Sequence, residues 1–176
     1  LFALKELGPI YTRLTNPTTD VLEQRYAALE GGAAAICTSS GQAASFYAVA
    51  NVAEAGDNIL ISDKLYGGSV TLLTYTLKRF GIKTKVFKSD DASNLEELID
   101  DKTKAIFFES LSNPQIAITD VEKVVEIAKR HGVLTICDNT VASAALFNPI
   151  AWGVDVVVHS TSKYTNGQGT AIGGII

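Results

Sequence analysis

Val154-Asp155-Val156-Val157-Val158-His159-Ser160-Thr161-Ser162-Lys163 reads as a buried apolar strand that ends abruptly in polar residues. The pattern recurs upstream. Apolar runs at Ala33 to Thr38, Asn58 to Ser62, Thr84 to Lys88, Ala105 to Glu109 and Val133 to Asp138 have the length and apolar density of buried strands, and the last is read through Val154 to His159. Helical patterns lie between most of them, over 42–53, 69–80, 94–100 and 120–130. An earlier helix is predicted over 18–29, with Asn16 or Thr18 as its cap, Pro17 in its first turn and Glu30-Gly31-Gly32 at its close. Strands alternating with helices predict an α/β fold, a mostly parallel sheet with helices on both faces.

In such a sheet the loops leaving the carboxyl ends of the strands share one edge, and ligands bind there. Those loops hold nearly all the conspicuous polar chemistry: Ser39-Ser40-Gly41-Gln42, then 63–68, 109–114, Asp138-Asn139-Thr140 and 159–164. No repeat, low-complexity tract or interdomain linker interrupts the pattern.

The 176 residues are enough for one domain with a substantial core, and a hydrophobic content of 47% with 19% charged residues excludes disordered and collagen-like classes. A net charge of −4 with scattered lysines and arginines gives no reason to expect nucleic acid or an anionic membrane as partner. No apolar stretch reads as a membrane span and the first residues do not read as a signal peptide. Cys37 and Cys137 both fall in apolar runs, which suits small buried hydrophobes in a reducing, cytoplasmic compartment. A chain without methionine that stops at Gly173-Gly174-Ile175-Ile176, inside what reads as another strand, is expected to be a piece of a longer protein.

Each motif has a plain alternative. Gly41 and Gln42, at a strand-to-helix turn, can offer free backbone N–H groups to an anion such as a phosphate, although such turns are common without one. Asp138 ends a strongly apolar strand, where a carboxylate is costly unless it meets a cation or several donors. A cap or a structural hydrogen bond to Asn139 or Thr140 would also serve. Tyr66, before Gly67-Gly68, can lie over a planar ligand or simply pack. Tyr11 and Arg13 lie in the irregular entry segment, where an arginine fork suits a phosphate. His159 can be a ligand or base, but with only His131 as a second histidine a metal site is not expected. Lys163 can be a solvated surface lysine. Its release from a strand end beside Ser160 and Ser162 instead suggests a partly desolvated nucleophile. Lysine for covalent attachment, hydroxyls for a phosphate and a strand-end aspartate for a pyridine nitrogen are what pyridoxal 5′-phosphate requires.

Seven stretches in order resemble the Cys/Met-metabolism family of pyridoxal phosphate enzymes: Tyr11-Thr12-Arg13, Asn16-Pro17-Thr18, Ser40-Gly41-Gln42, Leu65-Tyr66-Gly67-Gly68, Glu109 with Asn113-Pro114, Asp138-Asn139-Thr140, and His159 to Tyr164. The resemblance implies the large domain of a fold type I enzyme over 31–176, with a smaller C-terminal domain outside this chain, and a segment 1–30 that serves the neighbouring subunit's site. It implies that Lys163 carries the cofactor, that Gly41, Gln42, Ser160 and Ser162 hold its phosphate, and that Tyr11 and Arg13 reach in from the neighbouring subunit. Tyr66 would stack on the ring and move protons, Asp138 would bind the ring nitrogen and Asn113 would lie near the ring hydroxyl. A shared site implies a homodimer, usually doubled to a homotetramer.

Within the family, Gly167-Gln168-Gly169-Thr170 with Ile172-Gly173-Gly174, and 16–22, look most like the O-acetylhomoserine sulfhydrylases, which make homocysteine from O-acetyl-L-homoserine and sulfide in methionine biosynthesis. Val141, Gln168 and Ser143-Ala144-Ala145 depart from the usual pattern, so the substrate pocket is expected to differ. The nearest rivals are cystathionine gamma-synthase and the cystathionine or methionine gamma-lyases. A non-catalytic cofactor carrier and a nucleotide-binding domain are the rivals from other classes.

Overall fold

The computed structural model describes residues 3, 5, 6 and 8–176. Helix α1 (Pro17–Glu30) starts where Asn16 accepts from the N–H groups of Thr18 and Thr19, and stops at Gly31, whose φ of 72° is one that a side chain would resist. After it come β1 (Cys37–Thr38), α2 (Gly41–Ala50) and β2 (Asn58–Ser62). One helical stretch follows, in three parts: α3 (Gly67–Thr71), a π-helical turn at Leu72–Thr76 and α4 (Leu77–Arg79). The chain continues through β3 (Lys83–Phe87), α5 (Leu95–Leu98), β4 (Thr103–Glu109), α6 (Val121–His131) and β5 (Leu134–Asp138). Last come α7 (Ser143–Leu146), a 3₁₀ turn at Pro149–Trp152, β6 (Val156–Val158) and β7 (Gly174–Ile175).

The α/β expectation holds. Five parallel strands form a sheet in the order β3-β2-β4-β5-β6. Alternate residues of each strand feed opposite cores, as the two-residue period of a strand requires. Leu60, Ile106, Phe108, Cys137 and Val157 meet Val121, Val124, Val125 and Ala128 of α6 on one face. Ile59, Ile61, Phe107, Ile136 and Val158 meet Ala44, Ala48 and Val49 of α2, with Leu73 and Leu77, on the other. The chain leaves β2 toward β3 on one side and leaves β4 toward β5 on the other. The crevice where an α/β sheet takes its ligand therefore opens between the carboxyl ends of β2 and β4.

Two strand expectations need correction. Of the run Ala33 to Thr38 only Cys37–Thr38 is a strand, and it pairs antiparallel with β7 rather than joining the parallel ladder. Ala33, Ala34 and Ile36 are exposed, and the Cys37 N–H donates to Glu23 Oε1 at 2.7 Å instead of to a neighbouring strand. Strand β6 begins at Val156, because Val154 N–H turns back to Pro149 O and the Asp155 carboxylate accepts from Thr135. The strand-like end of the chain does form β7, tied to His159, just past β6, by reciprocal backbone bonds between His159 and Ile175 of 2.9 and 3.1 Å. Among the described residues no helix is long and apolar enough to cross a membrane.

Candidate active site

A cavity of about 630 Å³ opens at the carboxyl edge of the sheet. It brings together Gly41, Gln42, Tyr66, Asn113, Asp138, Ser160, Ser162 and Lys163, eight of the ten residues that the sequence pointed to. Tyr11 and Arg13 do not line it. Both are exposed, with the Arg13 guanidinium 4.9 Å from the centre of the Tyr11 ring, on the segment that precedes α1. A second depression, of about 500 Å³ beside Asp100, Lys104 and His131, takes in none of them.

The anion site is built by close packing. Ser40 caps α2, its Oγ accepting from Ala43 N–H at 3.1 Å, so the N–H groups of Gly41 and Gln42 have no partner within the helix. A Cβ on Gly41 would stand 2.6 Å from Ser160 Cβ and 2.8 Å from Ser160 Cα, so only glycine lets the helix start touch the loop after β6. Ser160 is held from its other side, its N–H donating to Thr140 Oγ1 at 2.8 Å. Ser162 Oγ accepts from Gly173 N–H at 3.0 Å and faces the same space. Gly41→Ala is expected to weaken retention of a phosphate-bearing cofactor at least tenfold, because overpacking of about 1–3 kcal/mol must be relieved by parting the two walls. Equal retention on dialysis of variant and parent would contradict this.

Asp138 is half-buried at the end of β5. Desolvation raises its carboxyl above the ordinary value, opposed by the Thr140 side chain, then by the Thr140 N–H, which donates to Oδ1 at 2.9 Å, and by His159. Among the described residues it forms no ion pair, so the strand end holds a carboxylate that a cation would relieve. The structural bond to Thr140 is therefore present.

Glu109 ends β4 beside Asp138, its register partner on β5, and is 4% exposed. Oε1 accepts from Tyr66 N–H at 2.7 Å and Oε2 from Asn113 N–H at 3.0 Å. Burial first, and then the Asp138 charge, push its carboxyl up to about 7 against these two donors. The raised value means that the protonated group favours the fold. That contribution, about 3 kcal/mol, is complete below the ordinary glutamate pKa and disappears as pH rises through about 7. The denaturation midpoint of the cofactor-free protein is thus expected to fall between about pH 5 and pH 8 relative to Glu109→Gln, and a constant difference would refute the assignment. The strand-end signal that singled out Asp138 was equally present at Glu109.

Three expectations change. His159 is neither ligand nor base of the cavity: it is buried, with Nε2 2.6 Å from Glu30 Oε1 and the Tyr26 ring edge-on at 5.0 Å. Lys163 is exposed at the cavity rather than partly desolvated. Cys137 is buried and burial raises its thiol, whereas Cys37 is only half-buried; both are free. Tyr66 is exposed with its ring folded back over Gly68, where a Cβ would lie 2.5 Å from the ring.

A lysine amine, an unneutralised strand-end carboxylate, and a glycine cradle with two free amides fit pyridoxal 5′-phosphate. The chain belongs to the Cys/Met metabolism PLP-dependent enzyme family, matching it over residues 2–176. It is 50% identical, over its whole length, to O-acetyl-L-homoserine sulfhydrylase of Leptospira meyeri, and 52% identical to a sulfhydrylase of Fusarium oxysporum; it spans 40% and 41% of those proteins. A crystal structure from Campylobacter jejuni, named as an O-acetylhomoserine (thiol)-lyase with an N′-pyridoxyl-lysine-5′-monophosphate, superposes with a TM-score of 0.95 at 60% identity. That match covers 99% of this chain and 43% of the other.

Proposed function

We propose that the complete protein replaces the acetyl ester of O-acetyl-L-homoserine with sulfide, giving L-homocysteine and acetate in methionine biosynthesis. The observation that carries this reading is the convergence of Lys163, Asp138, Tyr66 and the Gly41–Ser160 cradle on one cavity. Sulfhydrylases at about half identity support the choice of reaction.

Gly41 and Gln42 N–H groups and the hydroxyls of Ser160 and Ser162 hold the phosphate, joined by Tyr11 and Arg13 of a neighbouring copy in a homodimer or homotetramer. Asp138 would keep the ring nitrogen cationic, and Asn113 and Tyr66 would contact the ring. When bound, the cofactor supplies the electron sink that makes protons on the substrate's α and β carbons removable. The Lys163 amine attaches the cofactor and takes the α-proton, and Tyr66 handles the later proton movements as the Cγ–oxygen bond breaks and the sulfur–Cγ bond forms. Segment 1–30 serves the neighbouring site, 31–176 is the cofactor domain, and a C-terminal domain completes the protein. The two free cysteines support a reducing, cytoplasmic setting.

The test is homocysteine release by the complete protein from O-acetylhomoserine and sulfide, with O-succinylhomoserine and cysteine as paired controls. Preference for the acetyl ester and sulfide is the expected outcome. Cystathionine formation would move the assignment to a gamma-synthase, and 2-oxobutyrate without any nucleophile would move it to a gamma-lyase.

A further inference from the structure

The ladder between β2 and β4 ends at Ile61–Phe107. Beyond that pair the two chains diverge, β2 into the turn that carries Tyr66 and β4 into the loop that carries Asn113. At this point a buried side chain takes the place of the missing ladder: each Glu109 oxygen accepts one backbone N–H, Tyr66 at 2.7 Å and Asn113 at 3.0 Å. Tyr66 precedes a helix of five residues and makes no side-chain cap bond. Asn113 is exposed, so neither residue is held by burial of its own side chain. Glu109 is itself anchored, since its backbone carbonyl accepts from Thr119 Oγ1 at 2.7 Å. Tyr66, Asn113 and Glu109 all face the same cavity.

We propose that Glu109 is a positioning residue that clasps the Tyr66 and Asn113 loops and thereby fixes the orientation of the cofactor ring between them, separately from the phosphate cradle. The inference rests on the cofactor reading given under the proposed function. The clasp spans the switch point of the sheet, whereas the Gly41–Ser160 cradle is built from α2 and the loop after β6 and shares no hydrogen bond with it. Loss of the clasp should therefore loosen the ring and spare the anchor. Replacing one carboxylate oxygen by an amide NH₂ puts a donor against a donor and opens one arm while keeping size and shape.

The experiment uses the complete cofactor-loaded protein. In Glu109→Gln the cofactor content after dialysis is expected to match the parent, and the visible circular dichroism of the bound cofactor to fall at least about twofold. The value of kcat is expected to drop by about 10- to 100-fold with KM within about threefold, as a displaced reacting group predicts. Glu109→Asp, which keeps the carboxyl but reaches only one N–H, is expected to show the same changes and supplies the reading should the glutamine variant not fold. An unchanged dichroism and kcat in a folded variant overturns the clasp, and so does loss of the cofactor itself, which would make Glu109 a support of the whole site. A parent protein that shows no cofactor band refutes the cofactor reading instead, so the two failures are distinct.

Discussion

Lys163→Ala in the complete protein is expected to lower homocysteine formation by at least about 10⁴-fold, the combined loss of an attaching amine and a proton carrier. Stability of the cofactor-free protein is expected to stay within about 0.5 kcal/mol of the parent. The two halves of this result have separate grounds. Among the described residues lining the cavity Lys163 is the one amine, so no neighbour can take over its work. Its side chain is exposed, and the hydrogen bonds that shape its turn are backbone ones: its N–H donates to Ser160 O at 3.1 Å, and its carbonyl accepts from Gly167 N–H at 2.8 Å. Alanine keeps both. A small primary amine added to the assay should restore part of the rate, since it replaces the missing base in solution. Parental turnover by the variant would remove Lys163 from the chemistry.

How far the sequence foretold this site depends on where each interaction lies along the chain. Strands β2, β4 and β5 were legible because dense apolar runs stop at polar residues, and the polar stops fall on one edge once the sheet is parallel. That rule puts Asp138 and Lys163 on the edge where the cavity opens. Ala33 to Thr38 failed it because alanine buries little area and has weak strand preference, and because Glu23 of α1 takes the Cys37 N–H. The helix expected over 69–80 is present but includes a π-helical turn at Leu72–Thr76. Thr84, at the start of the next strand, donates its hydroxyl to Leu73 O at 2.6 Å within that turn. That bond depends on the packing of β3 and has no local sequence signal. The Glu109 clasp joins residues that are 43 positions apart, and the partner of His159 is 129 positions away. No spacing rule reaches so far, so the Tyr66 arm of the clasp and the Glu30 partner of His159 had no signal in the sequence, although the position of Glu109 at a strand end did.

The His159 partner carries the largest expected effect on stability. Glu30 is the last residue of α1, and its Oε1 is 2.6 Å from His159 Nε2 in a buried setting. Asn139 Nδ2 approaches the same oxygen at 3.4 Å and donates more closely to Phe147 O at 2.8 Å. Among the described residues Glu30 Oε2 and His159 Nδ1 find no partner, so the pair already contains uncompensated polar atoms and has no spare acceptor if one member is lost. Glu30→Ala would leave the imidazole buried without its acceptor, and a loss of about 3–5 kcal/mol is expected, read from the denaturation midpoint of the complete protein. The consequence extends to the cavity. His159 adjoins Ser160, and Tyr26, one turn earlier on α1, meets Thr165 Oγ1 through its hydroxyl at 2.8 Å, so α1 grips the Lys163 loop on both flanks. Glu30→Gln, which keeps an acceptor in place, is expected to recover at least half of the loss. If Glu30→Ala stays within about 1 kcal/mol of the parent, then water or a shifted side chain satisfies His159 and the grip of α1 on the lysine loop lies elsewhere.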